Sequence, residues 1–105
     1  MAEFGIAHTP IQQNEHWRLI GRCVEDIHIG DRFTKFIPIR LIGEPGPQNV
    51  NFERGESIPI DLVIREIHAY GRSFDVLHRG MTAALIVTGD CSMVGSSGSL
   101  CDEEN

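Results

Sequence analysis

The sequence lacks most of the features that announce a chemistry. Its longest uninterrupted apolar run is Ala83–Val87, far short of the ~20 residues that a membrane-spanning helix needs. The opening MAEFGIAHTP has no basic region followed by an apolar one, so no secretory signal is read there. A soluble cytoplasmic protein with no membrane partner is expected. The nine lysines and arginines are scattered. A protein that binds nucleic acid through phosphates carries a basic stripe instead, so charge disfavours an RNA partner. No C-x-x-C occurs, and Cys23, Cys91 and Cys101 cannot all pair within one chain. A metal site needs closely spaced ligands, so these read as reduced thiols, with Cys23 in the core. No cofactor is expected. The run from Gly95 to Gly98 lacks the lysine and following helix of a phosphate loop.

What is present suits one globular domain. At 105 residues, with 41% hydrophobic and 23% charged residues, the chain has room for one core. Of the net charge of −6, four units come from Asp90, Asp102, Glu103 and Glu104, which leaves −2 for the rest. The body is only mildly acidic. A domain over residues 1–90 followed by a flexible acidic tail, 91–105, is expected, because the tail is rich in glycine and serine and ends in acids.

Taken in order, a short strand near Phe4–Ala7 leads into a loop flanked by His8 and His16. Trp17–Val24 alternates, with Trp17, Leu19, Gly21 and Cys23 on one face; Gly21 in mid-strand implies a bulge or bend. Gly30 and Asp31 make a turn. A long strand then runs to about Ile42, with Phe33, Lys35, Ile37, Ile39 and Leu41 on one face. Pro38 cannot donate to a ladder, which calls for an edge or a bulge there. Residues Gly43–Ser57 read as a long loop with two prolines and three glycines, a candidate recognition loop. Its contact residues are Phe52 and the acids Glu44, Glu53 and Glu56, which suit a basic partner.

The stretch Ile60–Gly89 carries most of the architecture. Leu62, Val63, Ile67 and Tyr70 fit helical spacing, but Ile58, Ile60, Val63, Ile64 and Ile67 are β-branched and favour a strand. Arg72–Arg79 reads as a single helical turn plugging one end of a barrel. Gly80 opens a strong strand, Met81–Thr88, whose near-continuous apolar character implies burial on both faces.

In series these segments resemble the β-barrel of translation factors, the second domain of elongation factor Tu and its relatives. The resemblance rests on LIGRCVEDIHIGDRF, Leu19 to Phe33, then Val63–Tyr70, Phe74–Arg79 and Gly80–Gly89, about 70 residues in all. It implies an all-β fold, a small closed antiparallel β-barrel with a short helical turn near 72–79, and it takes Leu62–Ala69 as a strand. In that family the barrel follows a GTPase domain, and nothing here matches the GTPase motifs. No family site residue is carried over, since a shared fold alone does not assign a function.

The best polar constellation is His68, Asp75 and His78, with Glu66 and Arg72 near in sequence. A His–Asp pair can run acid–base chemistry, and two histidines with a carboxylate can hold a metal. Ten residues separate the histidines, with no third ligand and no nucleophile at useful spacing. They read as exposed turn histidines, with Asp75 a cap. The expectation is a non-enzymatic module that binds another protein. The alternatives are a small acidic antidote or immunity-type inhibitor, and a translation-related accessory domain that binds RNA or the ribosome.

Overall fold

The computed structural model describes residues 2–42 and 51–102. Within them the chain is all-β: β1 Glu3–Ile6, β2 Ile11–Gln13, β3 His16–Glu25, β4 Ile27–His28, β5 Arg32–Ile42, β6 Asn51–Arg54, β7 Ile58–Ala69, β8 Arg72–Phe74, β9 Val76–Leu77, β10 Thr82–Thr88 and β11 Gly98–Cys101. Six strands pair in the cyclic order β1–β3–β10–β7–β5–β11 and back to β1, every pairing antiparallel. Each strand of this ring turns alternate side chains inward. Phe4, Leu19, Phe33, Phe36, Leu62, Ile64, Ile67, Leu85, Val87 and Leu100 fill the interior and are almost wholly shielded from solvent.

Two interruptions of the alternation explain what the sequence pattern left ambiguous. Strand β7 points Leu62 and Ile64 inward, then Ile67 and Ala69. The three-residue step from Ile64 to Ile67 imitates a helix. It arises from a bulge: Val87 pairs with Ile64 and Ile86 with Glu66, which leaves Arg65 as the extra residue. A second shift falls between Phe33 and Lys35 of β5, and here too β7 carries the extra residue, since Phe33 pairs with Leu62 and Lys35 with Pro59. Across that irregularity the alternation of β5 is broken as well, and Phe36, rather than Lys35, lies buried beside Phe33. The single face expected for Phe33, Lys35 and Ile37 is thereby corrected.

Pro38 sits at a third irregularity. Phe36 pairs with Ile58 and Ile39 with Arg54, so Gly55–Ser57 bulge opposite Ile37 and Pro38. The Gly55 amide donates to the Pro38 carbonyl at 2.8 Å, and a β-carbon on Gly55 would crowd the proline ring. The expected long loop Gly43–Ser57 is shorter than that. Phe52 and Glu53 belong to β6, in register with Leu41 and Arg40, whereas residues 43–50, including Glu44, lie outside the described residues.

Two further expectations are corrected. No helical turn occurs at 72–79; Arg72–Phe74 pairs with the end of β7, and Val76–Leu77 pairs with β4. The plug at that end of the ring is the two-stranded β4–β9 unit, whose Ile27 and Leu77 are fully buried. The supposed flexible tail is also structural over its described part. Strand β11 sits between β1 and β5, and Cys91, Val94, Leu100 and Cys101 are buried. The glycine read as a mark of flexibility is there for contact. Gly98 has φ of +150° and packs so close to Phe36 and the Ile37 carbonyl that a β-carbon would collide with both.

Candidate functional site

Loops at one end of a rigid sheet are where binding residues concentrate, and the β4–β9 end carries a concavity. The β3–β4 and β4–β5 turns, the β9–β10 turn and the chain either side of the β1–β11 pair enclose a cleft of about 540 Å³. It is lined by Ala2, Glu25, Asp26, His28, Asp31, Arg79 and Asp102. Four carboxylates face one guanidinium, a net −3 with His28 neutral.

Local hydrogen bonds fix two of these carboxylates. Asp26 Oδ1 accepts the Arg79 amide at 2.8 Å, and His78 Nδ1 stands 3.6 Å from its Oδ2. The Arg79 amide, aided by His78 and opposed by slight desolvation, holds the Asp26 carboxyl below its ordinary value. Asp31 Oδ2 accepts the His28 amide at 2.8 Å, with His28 Nδ1 at 3.6 Å. Between them Gly30, at φ of +92°, turns the chain so that its amide reaches the Ile64 carbonyl at 2.9 Å. The cleft is therefore a set of carboxylates held on short turns that are stitched to β7.

The second concavity is a groove of about 350 Å³ on the outer face of β3, β10 and β7. Arg18, Ile20, His68, Ala69, Tyr70, Gly71, Thr82, Ala83 and Ala84 line it. His68 Nε2 lies 3.3 Å from Glu66 Oε1.

The expected polar constellation does not assemble. His68 sits in the groove beside Glu66, while His78 pairs with Asp26 at the cleft. Asp75 is exposed, and its backbone carbonyl accepts the Ile29 amide at 3.0 Å. Among the described residues no cluster of His, Cys, Asp and Glu is arranged to hold a metal ion. Glu56 is exposed in the bulge opposite Pro38. The thiols are poor nucleophiles: burial pushes Cys23 up to about 11 and Cys91 up to about 12. Cys23 Sγ donates to the Glu25 and Leu77 carbonyls at 2.9 and 3.4 Å.

Sequence reasoning missed the cleft. Glu25, Asp26 and Asp31 are near neighbours in turns and were available as a signal, but Arg79 and Asp102 come from distant segments. The groove had a local signal too, since the alternation of β3 puts Arg18 and Ile20 on one face. No helix among the described residues is long and apolar enough to cross a membrane. No family model matches the chain, and neither a curated protein nor a solved structure was found to be similar to it.

Proposed function

We propose that this chain is a non-enzymatic β-barrel module of the translation-protein type that binds another protein. In this reading the partner delivers a lysine or arginine side chain to the cleft at the β4–β9 end. The observation that carries the reading is the convergence of three turns with Ala2 and Asp102 on one 540 Å³ cleft at the end of a closed ring. Its lining supplies the chemistry, because four carboxylates around a single arginine attract a cation and repel a phosphate. The order of strand, Gly-Asp turn, long strand and plug supports the barrel type. Three free, buried cysteines support a reducing, cytoplasmic setting.

A small acidic antidote against a basic toxin is a special case of the same reading, favoured by the sign of the cleft. The ribosome- or RNA-binding alternative has the resemblance behind it and the cleft charge against it. Glu56, exposed in the bulge between β6 and β7, would add to attraction for a basic partner.

The test is a pair of NMR titrations of the labelled chain, one with a lysine- and arginine-rich peptide and one with a glutamate-rich peptide. The cationic peptide is expected to shift the amides of Asp26, Asp31, Arg79 and Gly80. The double variant Glu25→Gln, Asp102→Asn is expected to weaken that response without unfolding the chain, since neither side chain makes a hydrogen bond or ion pair with another described residue. No shifts at the cleft, or an unchanged affinity in the double variant, overturns the reading.

A further inference from the structure

The groove on the outer face of β3, β10 and β7 differs in sign from the rest of the molecule. The chain carries a net charge of −6, yet no carboxylate lines this groove; its ionisable walls are Arg18, His68 and the phenol of Tyr70. The other arginines that face outward on these strands are engaged. Arg22 Nε donates to the Gly80 carbonyl at 3.2 Å and Arg65 Nε to Thr88 Oγ1 at 3.1 Å. Arg18 makes no hydrogen bond or ion pair with another described residue, although its side chain is half-buried. His68 is already held by Glu66, which leaves Arg18 as the available cation.

The floor has a shape that follows from register. Ile20, Ala84 and His68 stand in one row across the three strands. The small Ala84 between two larger neighbours leaves a dip, and the adjoining Gly71 keeps one rim low. Tyr70 forms the opposite kind of rim. It is 74% exposed and sits at the first position of the β7–β8 turn with φ of +53°, followed by Gly71 at +72°. Such a turn favours asparagine or glycine at that place. An exposed aromatic held there has no packing reason, and strained residues of this kind concentrate at binding sites.

We propose that this groove docks an acidic segment of a protein partner, with one apolar or aromatic side chain seated over Ala84 against Tyr70 and an adjacent carboxylate on Arg18. The guanidinium matches a carboxylate in geometry and charge. The aromatic rim adds apolar area beside it. This surface is separate from the cationic-group cleft and selects the opposite charge.

The experiment uses the full labelled chain and three short blocked peptides, Glu-Phe-Glu, Glu-Ala-Glu and Lys-Phe-Lys. Glu-Phe-Glu is expected to shift the amides of Arg18, Ile20, His68, Tyr70 and Ala84, and to bind more tightly than the other two. Arg18→Glu is expected to weaken that binding by about tenfold or more. Tyr70→Asn suits the turn, so it is expected to leave the denaturation midpoint unchanged or raised while affinity falls; a merely structural tyrosine would not separate the two. Equal binding of Lys-Phe-Lys, equal binding of Glu-Ala-Glu, or an unchanged affinity in Arg18→Glu overturns the proposal. A single-stranded oligonucleotide that shifts these amides when Glu-Phe-Glu does not also overturns it, in favour of a nucleic-acid surface. The cleft amides are read in the same spectra, so failure here and failure of the cleft reading are told apart.

Discussion

Gly21 lies directly against the carbonyl of Gly5 where β3 pairs with β1, with the Phe4 ring beside it, and there is no room for a methyl group between the strands. This contact sets how closely β1 and β3 approach each other within the ring. It predicts an asymmetry between two glycines that look alike in the sequence. Gly21→Ala is expected to destabilise by about 1–3 kcal/mol through overpacking. Gly5→Ala, whose methyl would meet only ordinary contacts at 3.7 and 3.9 Å, is expected to cost less. Urea midpoints of the two variants check this; equal midpoints would show that the strands are not in that contact.

Leu100 and Leu85 are both fully buried, one in β11 and one in β10. Leu100→Ala is therefore expected to lose about 2–5 kcal/mol, the same range as Leu85→Ala, from lost burial and the cavity left behind. A parent-like midpoint for Leu100→Ala would place β11 outside the core and restore the reading of residues 91–105 as a flexible tail.

Asp26 predicts a pH dependence of definite sign. Its folded value lies below the ordinary 3.8, chiefly because of the Arg79 amide, so the unfolded chain binds its proton more readily than the folded one. The stability it contributes is complete above the unfolded value and is lost as pH falls through the folded value. Asp26→Asn is expected to unfold at lower urea than the parent near neutral pH. The gap should close as the parent is taken through the carboxylate range, down to about pH 2.5. A gap that is constant with pH would mean that charge at Asp26 is not what matters.

The cysteines predict a native state that resists thiol reagents. All three are buried, and burial pushes Cys23 and Cys91 up to about 11 and about 12. Cys101 is raised as well, by burial and by Glu3. At about pH 8 a colorimetric disulfide reagent is expected to titrate the thiols slowly in buffer and fully in denaturant. One thiol reacting at the rate of a free cysteine in buffer would show that its strand opens readily.

Gly80→Val is expected to destabilise as well, by strain. Gly80 has φ of +91°, and its nearest neighbour in the direction of a β-carbon is the Arg22 guanidinium at 3.9 Å. The site has space for a side chain, but its backbone conformation is one that β-branched residues avoid.

What the sequence by itself determined was local. Alternation along Trp17–Val24 set the inward face of β3, and β-branching favoured a strand at β7 without excluding the helical spacing. Gly30 and Gly80 marked turns, because a positive φ leaves its trace in a single residue. The single face expected for β5 failed at the register shift opposite Thr34, and the helical spacing of Leu62–Tyr70 came from the bulge at Arg65, since bulges depend on the partner strand's register and not on the residues' own preferences. The last strand was missed for a related reason. GSLC has little strand propensity, and Gly98 is required by the approach of Phe36 and Ile37, which stand about sixty positions earlier. Ring closure, the seat of β11, and the gathering of Glu25, Asp31, Arg79 and Asp102 around one cleft belong to the tertiary structure alone. Each brings together segments far apart in the sequence, and the pairings that do so are made only when the ring closes.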